Sequence, residues 1–375
     1  MATLPTYNLG QGRNLMDKKK IIGSFLVVLL IVFIVIVKVT GKSETGDSEA
    51  GEKEKFTATY MDCFDTVTDI TGYAYTEEEF TDMADSIEEQ LVIYNNLYDI
   101  YNDYEGINNI KTINDNAGIA PVEVDEKIID LLKFGKEMYN ETNGMTNIAM
   151  GAVLKIWHEY REAGIADPAS ATLPSQEELR EVAKHVDIDK VIIDEEAGTV
   201  YLEDENMSLD VGSIAKGYAA QMALQFARDN GMKNVLLSLG GNVCGIDGRI
   251  DGTNFKLGIQ NPDLTSPDSY IQKVEIEDGQ CVVSSGDYQR YYEVDGKVYC
   301  HIINPDTLYP SDTFAQVSII TDDSGKADAY STAVYNMTLE EGLEFVNSHV
   351  DIEAMWVDHA GNITYSDNFE ESIVE

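Results

Sequence analysis

The sequence predicts an α+β protein with mixed sheets and flanking helices, in a single domain behind one N-terminal transmembrane helix. The 375 residues are 43% hydrophobic, which is enough for a large core. Short runs rich in Val, Ile, Thr and Tyr, typical of strands, alternate with segments whose apolar residues have helical spacing. A separate uncharged stretch lies near the N-terminus, and no internal repeat is present.

The first segment is predicted to be a membrane anchor. Residues 21–37 carry no charge, and as a helix they are just long enough to cross the hydrocarbon layer. Lysines cluster immediately before this stretch at positions 18–20. The positive-inside tendency therefore places residues 1–17 in the cytoplasm and the later chain outside. We expect a retained anchor at 18–40; a cleaved signal peptide is the alternative, but no small-residue cleavage site follows immediately.

The next segment, residues 41–55, is rich in Gly, Ser, Glu and Lys and is predicted to be a flexible acidic linker. Residues 56–375 form the predicted domain, in which residues 163–176 are expected to be an insertion or a lid-like loop. Strands are predicted, in chain order, within 56–75 (two strands) and at 188–193, 199–202, 234–239, 255–260, 272–276, 280–284, 291–294, 298–302, 316–320, 354–357 and 363–365. Helices are predicted at 77–94 and 125–140, from near Lys216 to Gly231, and at 327–336 and 339–347.

The charge and the cysteines exclude several functions. The formal net charge is −41, from 67 acidic residues against 26 Lys plus Arg. Such a surface repels nucleic acids and anionic lipid headgroups, so neither is an expected ligand. An anionic small ligand would need a cation at its site. The four cysteines, at positions 63, 244, 281 and 300, lack metal or disulfide spacing. We expect buried free thiols at Cys244, Cys281 and Cys300, which lie in apolar or strand-like segments.

The stretch LDVGSIAKGYAAQMALQFARDNGMKNVLLSLGGN (residues 209–242) is the most informative about chemistry. An apolar run ends at Asp210, and a helix with Lys216 in its first turn follows. The start of a helix presents unpaired N–H groups and a positive dipole end, which suit a phosphate. The paired glycines 240–241 lack Cβ atoms and would let a ligand approach the backbone. The helix is indicated by apolar residues that recur every four positions: Ile214, Tyr218, Met222 and Phe226.

Asp328 and Thr332 are four residues apart at a predicted helix start, so their oxygens project from one face. Carboxylate, hydroxyl and carbonyl oxygens are the hard ligands that Mg²⁺ prefers. The alternative is structural, with Asp328 as an N-cap and Thr332 as a packed helix residue.

Five segments together resemble the FAD:protein FMN transferase (ApbE) family, and they occur in the family's order over roughly residues 56–365. They are DVGSIAKGYA (210–219), GGN (240–242), SSGDYQR (284–290), HIINPDTLYP (301–310) and ADAYSTA (327–333). Several ordered motifs are far more specific than one glycine-rich loop. The resemblance implies an ApbE-like catalytic domain.

The resemblance also implies roles for individual residues. Mg²⁺ would be held by Ser213, Asp328 and Thr332, and His301 would be the catalytic residue. A neutral imidazole can accept the proton of an attacking hydroxyl, although a purely orienting role and a structural role remain alternatives. The FAD contacts implied by the family are Asp210, Lys216, Met145, Thr146, Asn147 and Ile302. The other histidines, His158, His185, His349 and His359, are expected to be surface or helix residues.

The activity implied by the resemblance is Mg²⁺-dependent transfer of FMN from FAD to a Thr or Ser hydroxyl of an acceptor protein, with release of AMP. The acceptors would be membrane electron-transfer subunits on the extracytoplasmic side. Four residues depart from the family pattern, of which Asn304 and Ser213 are mild changes, while Leu308 and Asn147 would touch the nucleotide side. A metal-dependent FAD pyrophosphatase and a non-enzymatic flavin-binding protein are the alternatives.

Overall fold

Antiparallel strands provide the framework that carries the candidate site residues. The structure, a computed structural model, describes residues 52–61 and 63–375. Within this part of the chain the strands are β1 (Glu54–Tyr60), β2 (Thr68–Ala74), β3 (Val122–Glu123), β4 (Val191–Asp194), β5 (Thr199–Leu202), β6 (Val235–Leu239), β7 (Asn242–Ile246), β8 (Phe255–Gln260), β9 (Tyr270–Ile276), β10 (Cys281–Gly286), β11 (Tyr291–Val294), β12 (Lys297–Cys300), β13 (Gln316–Thr321), β14 (Glu353–Val357) and β15 (Ile363–Tyr365).

Helices lie between these strands. Within the same described ranges they are α1 (Glu77–Tyr98), α2 (Ile110–Asp115), α3 (Glu126–Glu141), α4 (Gly151–Ala166), α5 (Gln176–Val182), α6 (Ala215–Asp229), α7 (Ser324–Asn336) and α8 (Leu339–Asn347). The predicted α+β class is therefore confirmed.

The largest sheet among the described residues has the strand order β1-β2-β6-β7-β10-β13-β14-β15. Smaller sheets pair β3, β5 and β4, then β8 with β9, and β11 with β12. Sheets of mixed direction were predicted, but every pairing of named strands in the described chain is antiparallel. The physical reason is that close turns join many neighbours, whereas parallel neighbours need a crossover. A parallel bridge joins Met150 to Ser208 outside the named strands.

The turn between β6 and β7 consists of Gly240 and Gly241, with φ angles of 54° and 94°. A two-residue hairpin turn with positive φ at both positions explains the pair of glycines. A Cβ on Gly240 would lie 2.4 Å from the Thr66 hydroxyl oxygen. Another segment of the protein's own chain therefore approaches Gly240 closely. Gly240 also lines a cavity, which agrees with the expectation that a ligand can approach the backbone there.

Helix α6 packs through its small residues. The alanines at 215, 219, 220, 223 and 227 are buried, whereas Tyr218, Met222 and Phe226 are only partly buried. The four-residue apolar period thus predicted the helix correctly but not its buried face. Small side chains allow α6 to lie close to α7, which is buried along almost its whole length.

Several predicted boundaries differ from the structure. Helix α7 begins at Ser324 and is capped by Asp323, whose side chain accepts from the Lys326 N–H. Asp328 is therefore neither an N-cap nor at the helix start. The predicted loop at 163–176 begins inside α4, a helix that the sequence pattern did not reveal. Strand β12 ends at Cys300, so Ile302 lies in the following loop.

The expectations for the N-terminal region fall largely outside the described residues. The cytoplasmic tail at 1–17, the anchor at 18–40 and the linker as far as residue 51 are not described. The predicted linker is too long at its C-terminal end, because Glu54 and Lys55 already belong to β1. Among the residues that are described, no helix combines the length and the apolar character needed to span a membrane.

Candidate active site

A cavity of about 460 Å³ collects every site residue predicted from the sequence. Its walls come from the loops before α4 and α6, from α7, from the end of β10 and from the loop after β12. The predicted residues that line it are Met145, Thr146, Asn147, Asp210, Ser213, Lys216, His301, Ile302, Asp328 and Thr332. Segments almost 190 residues apart in sequence thus meet at one place.

Asp328 lies where α6 and α7 touch, and only 4% of its surface is exposed. Its Oδ2 accepts a hydrogen bond from the Gly217 N–H in the first turn of α6, at 2.9 Å. The Lys216 Nζ is 3.8 Å from the same oxygen. Burial raises the pKa of Asp328, and Lys216 and the Gly217 N–H only partly oppose this rise. The site therefore holds a carboxylate whose negative charge is incompletely compensated.

Thr332 follows Asp328 by one helical turn and is half-buried at the cavity wall. A helical threonine hydroxyl often bonds to the carbonyl four residues earlier. Here that carbonyl, on Asp328, accepts from the Ser331 hydroxyl instead. The Thr332 hydroxyl has no protein hydrogen-bond partner in the described chain, and it remains available to a ligand.

These oxygens fit a hard divalent cation. Asp328 supplies a poorly compensated carboxylate, Thr332 a hydroxyl without a partner, and Ser213 further oxygens on the same cavity wall. No group of three or more His, Cys, Asp or Glu side chains with metal-site geometry occurs in the described residues. A site with one carboxylate and neutral oxygens suits Mg²⁺, which keeps several waters and binds substrate phosphates.

Asp210 provides a second carboxylate in the cavity. Its Oδ1 accepts from the Gly212 N–H at 2.9 Å, which orders the turn that leads into α6. Surrounding protein atoms raise the pKa of Asp210 by desolvation, although the cavity leaves part of its surface accessible. The Gly212 N–H and the charges of Arg161 and Lys216 lower this pKa and act in the opposite direction.

His301 is enclosed at the cavity wall in the loop after β12. Burial, and then the positive charges of Arg290, Lys216 and Arg161, lower its pKa from 6.5 to about 3. The imidazole is therefore neutral at physiological pH. Its Nδ1 is buried without a hydrogen-bond partner. The Oδ1 of Asn242, which also lines the cavity, likewise lacks a partner. Orphaned polar atoms on a cavity wall indicate a site built for a polar ligand.

The side chains of the turn at residues 145–147 form hydrogen bonds that hold the turn against other parts of the protein. The Thr146 hydroxyl donates to the Ala329 carbonyl at 2.7 Å, joining this turn to α7. The Asn147 amide donates to the Val186 carbonyl at 3.1 Å, and its Oδ1 accepts from the Ala149 N–H. An aspartate at 147 could not donate the first of these bonds. Packing in this chain thus accounts for the Asn147 departure.

Leu308 does not line the cavity, contrary to the expectation that it touches the nucleotide side. Its φ is 63°, a conformation that glycine adopts without strain. The Leu308 side chain is buried, and its carbonyl accepts from the Trp157 indole N–H at 2.8 Å. Burial of the leucine thus compensates for the strained backbone, and the departure concerns packing of α4 against this loop.

The cavity residues that sequence reasoning missed include Tyr101, His158, Arg161 and Arg290. His158 was expected to be an ordinary surface or helix residue, but α4 directs it into the cavity wall. Arg290 stood inside a recognised motif, which was the available signal for it. His158 and Arg161 lie on α4, a helix that was not predicted, and no local pattern indicates their approach to the site.

Comparison with known proteins identifies relatives along nearly the whole described chain. The model of the ApbE family matches residues 64–356. The chain is 30% identical over 249 residues to the FAD:protein FMN transferase of Klebsiella pneumoniae (strain 342), covering 66% of this chain and 74% of that protein. It is 29% identical over 265 residues to the FAD:protein FMN transferase of Treponema pallidum (strain Nichols), covering 66% of this chain and 70% of that protein.

Solved structures show the same fold. The ApbE protein from Thermotoga maritima MSB8 superposes with a TM-score of 0.74 at 27% identity, covering 86% of this chain and all of that one. The flavin transferase ApbE from Vibrio cholerae superposes with a TM-score of 0.70 at 18% identity, covering 85% of this chain and 99% of that one. The second likeness supports the fold alone.

Proposed function

The chain belongs to the ApbE family, and we propose that it is a transferase that moves FMN from FAD onto an acceptor protein. The observation that carries this proposal is the convergence of all the predicted site residues on one cavity. That cavity also contains Lys216, Arg161 and Arg290, although the whole chain has a formal net charge of −41. A local concentration of cations is what a doubly charged pyrophosphate requires.

We further propose that a Thr or Ser hydroxyl of the acceptor attacks the FMN-side phosphorus of FAD. The new oxygen–phosphorus bond forms as the bridging phosphorus–oxygen bond breaks, and AMP leaves with its phosphate. FMN then remains on the acceptor through a phosphodiester. The chain's contribution is to position the pyrophosphate and to neutralise its charge, because phosphoryl transfer needs little covalent chemistry from the protein.

His301 is suited to take the hydroxyl proton. The imidazole is neutral, and its Nδ1 faces no protein partner. A neutral imidazole carries a lone pair on one of its ring nitrogens, which can accept a proton. General-base assistance of this kind contributes about 10²–10⁴-fold to the rate.

Mg²⁺ is part of the proposal because the donor set fits it. Asp328, Thr332 and Ser213 would hold the ion, which would neutralise negative charge on the pyrophosphate. Lys216 lies beside Asp328 and contributes a positive charge of the protein's own at the same wall.

Tyr101 is the best-placed flavin platform among the cavity tyrosines. Its side chain is 57% exposed, whereas Tyr104 and Tyr288 are partly buried and Tyr98 and Tyr292 are buried. The Tyr101 ring lies 5.5 Å from the His158 ring, centroid to centroid, which restricts its orientation. An exposed, supported aromatic face is suited to stacking against an isoalloxazine ring.

We propose that the uncharged stretch at 21–37 anchors the enzyme in the membrane, with its catalytic domain on the extracytoplasmic side. The acceptors would then be membrane electron-transfer subunits that carry covalent FMN. Resistance of the full-length chain to alkaline extraction from membranes supports the anchor, and release into the supernatant contradicts it.

The test of transfer uses the full-length chain in detergent with FAD, Mg²⁺ and membranes from the source cell. The expected result is a flavin-fluorescent acceptor band in a denaturing gel. Asp328→Ala should abolish this band, and Asp306→Asn, a change to an exposed carboxylate in the His301 loop, should not. Release of FMN and AMP without a labelled band would indicate a pyrophosphatase, and unchanged FAD would indicate a binding protein.

A further inference from the structure

Arg161 is a cavity cation that no motif pointed to. It lies on α4, about one helical turn after His158, and both side chains line the cavity. Resting on the proposed function, we propose that Arg161 binds a phosphate oxygen of the FAD pyrophosphate and that His158 is the positioning residue that holds it there.

The Arg161 guanidinium is poorly neutralised by the protein. Its side chain is only 18% exposed, and its Nε is 4.0 Å from the Glu162 carboxylate, whose own side chain is 61% exposed. Such a long, solvent-facing ion pair does little to stabilise the Arg161 charge. Burial and the nearby Arg290 charge both lower the pKa of Arg161. A largely buried cation without a strong partner is costly to the free protein, and an anionic ligand would remove that cost.

His158 fixes the direction of this guanidinium. The Arg161 Nη2 donates to the His158 Nδ1 at 2.8 Å. Because a guanidinium only donates, the Nδ1 carries no proton in this arrangement. The centroid of the same imidazole ring lies 5.5 Å from that of the exposed Tyr101 ring. One histidine thus connects the proposed flavin platform to the proposed phosphate ligand.

The charges around His301 indicate which part of FAD the guanidinium meets. Arg290, Lys216 and Arg161 are all close enough to lower the pKa of His301. Lys216 lies 3.8 Å from the buried Asp328 carboxylate, whereas the ion pair of Arg161 in the described chain is the long one with the solvent-facing Glu162. Transfer leaves additional negative charge on the departing AMP phosphate. An arginine whose ion pair is long and solvent-facing is suited to binding that phosphate, with a geometry that a lysine cannot reproduce fully.

The first test compares FAD binding by the full-length wild type with Arg161→Gln, Arg161→Lys and the control Arg180→Gln, followed by flavin fluorescence in Mg²⁺. Arg180 is exposed on α5 and does not line the cavity. We expect Arg161→Gln to weaken FAD binding by about 10- to 100-fold, as for loss of a charged hydrogen bond, and to reduce its salt dependence. Arg161→Lys should restore part of the FAD affinity and part of its salt dependence. Arg180→Gln should match the wild type in both.

The second test concerns His158. His158→Asn keeps an acceptor near the position of Nδ1, whereas His158→Leu removes it. We expect the leucine variant to approach the FAD affinity of Arg161→Gln and the asparagine variant to remain close to the wild type.

Some results would overturn the inference. Unchanged FAD affinity in Arg161→Gln, with a wild type that binds FAD, would reject it while leaving the proposed function intact. An equal loss in Arg161→Gln and Arg161→Lys, accompanied by a fall in the unfolding temperature, would show a structural role. A wild type that does not bind FAD would reject the inference and the proposed function together.

Discussion

Asp328 is a residue at which stability and activity are expected to conflict. Its pKa is raised because burial raises it more than Lys216 and the Gly217 N–H lower it. The folded protein therefore holds the Asp328 proton more tightly than the unfolded chain does. Above the raised pKa, the ionised carboxylate makes folding less favourable, and the penalty disappears as the pH falls through that value. A bound cation would offset the same penalty in the working enzyme.

We predict that Asp328→Asn raises the unfolding temperature of the metal-free protein by about 1–3 °C, because a neutral amide of similar shape replaces a buried charge. The same change should lower Mg²⁺-dependent transfer by about 100-fold or more. Differential scanning fluorimetry in EDTA and the gel assay measure the two effects. A variant that is less stable and fully active would contradict the assigned role.

The contribution of His301 to the free energy of unfolding should change with pH in the direction opposite to that of a histidine in an ion pair. The unfolded imidazole binds a proton near the ordinary pKa of 6.5, and the folded one only near about 3. Between these values the unfolded chain binds more protons, so the free energy of unfolding falls as the pH is lowered through this window. The neutral base form, in turn, persists in the free enzyme well below pH 6.5.

We therefore predict that protonation of His301 does not lower kcat/KM for FAD near pH 6.5. The pH profiles of the wild type and of His301→Asn should accordingly have the same shape in this range. We also expect this variant to lower the rate by about 10²-fold or more and to lose less stability than the wild type on acidification. Steady-state rates and urea unfolding at several pH values are the measurements. An acid limb centred near 6.5 that depends on His301 would show that the imidazole is not desolvated as described.

At the scale of elements, the contact between α6 and α7 positions the site. Gly217 makes this contact possible, because a Cβ there would lie 2.1 Å from the Ser324 carbonyl oxygen and 2.5 Å from the Asp328 Cβ. The absent side chain lets the Gly217 N–H reach the Asp328 carboxylate. Separation of the two helices would therefore disturb the proposed metal ligands and Lys216 together.

We predict that Gly217→Ala lowers the free energy of unfolding by about 1–3 kcal/mol, the usual cost of overpacking, and reduces FAD affinity as well. Gly342→Ala on α8 is the matched control. Its Cβ would meet a Trp356 ring carbon at 3.1 Å, and the gain in helix propensity of about 1 kcal/mol offsets this strain. Denaturant unfolding distinguishes the two variants, and equal stability losses would reject the steric argument.

The elements also show what the sequence could predict. Helices with a clear apolar period and strands with β-branched residues were located to within a few residues, including β8, β11 and α8. Helix α4 was missed because its N-cap, Met150, has no side-chain capping bond and glycine occurs near both ends. Arg161 and His158 were missed with it. Their place in the cavity depends on tertiary contacts such as the Trp157–Leu308 hydrogen bond, which no local pattern records.

The motif residues were predictable for a different reason. Phosphate and metal binding concentrate polar side chains, glycines and helix starts in short segments, and such segments can be recognised in sequence. Their convergence on one cavity is a property of the fold. The exact hydrogen bonds of Asn147 and the buried position of Leu308 depend on packing and required the structure.

For the whole molecule, charge should control how fast FAD arrives. A formal net charge of −41 repels an anionic dinucleotide at long range, while the cavity cations act only at short range. We predict that the association rate constant for FAD rises with ionic strength between about 20 and 300 mM KCl, because salt screens the repulsion. Stopped-flow flavin fluorescence measures this rate, with uncharged riboflavin as the control. A rate constant that falls with salt would show that the local cations dominate the approach.

Covalent transfer of FMN to a hydroxyl group is the central step of the proposed reaction. Mass spectrometry of the fluorescent acceptor band, after incubation with the full-length chain, FAD and Mg²⁺, tests this claim. We predict a peptide that carries one FMN moiety on a Thr or Ser side chain, with AMP formed in equal amount. Free FMN and AMP beside an unmodified acceptor would contradict it.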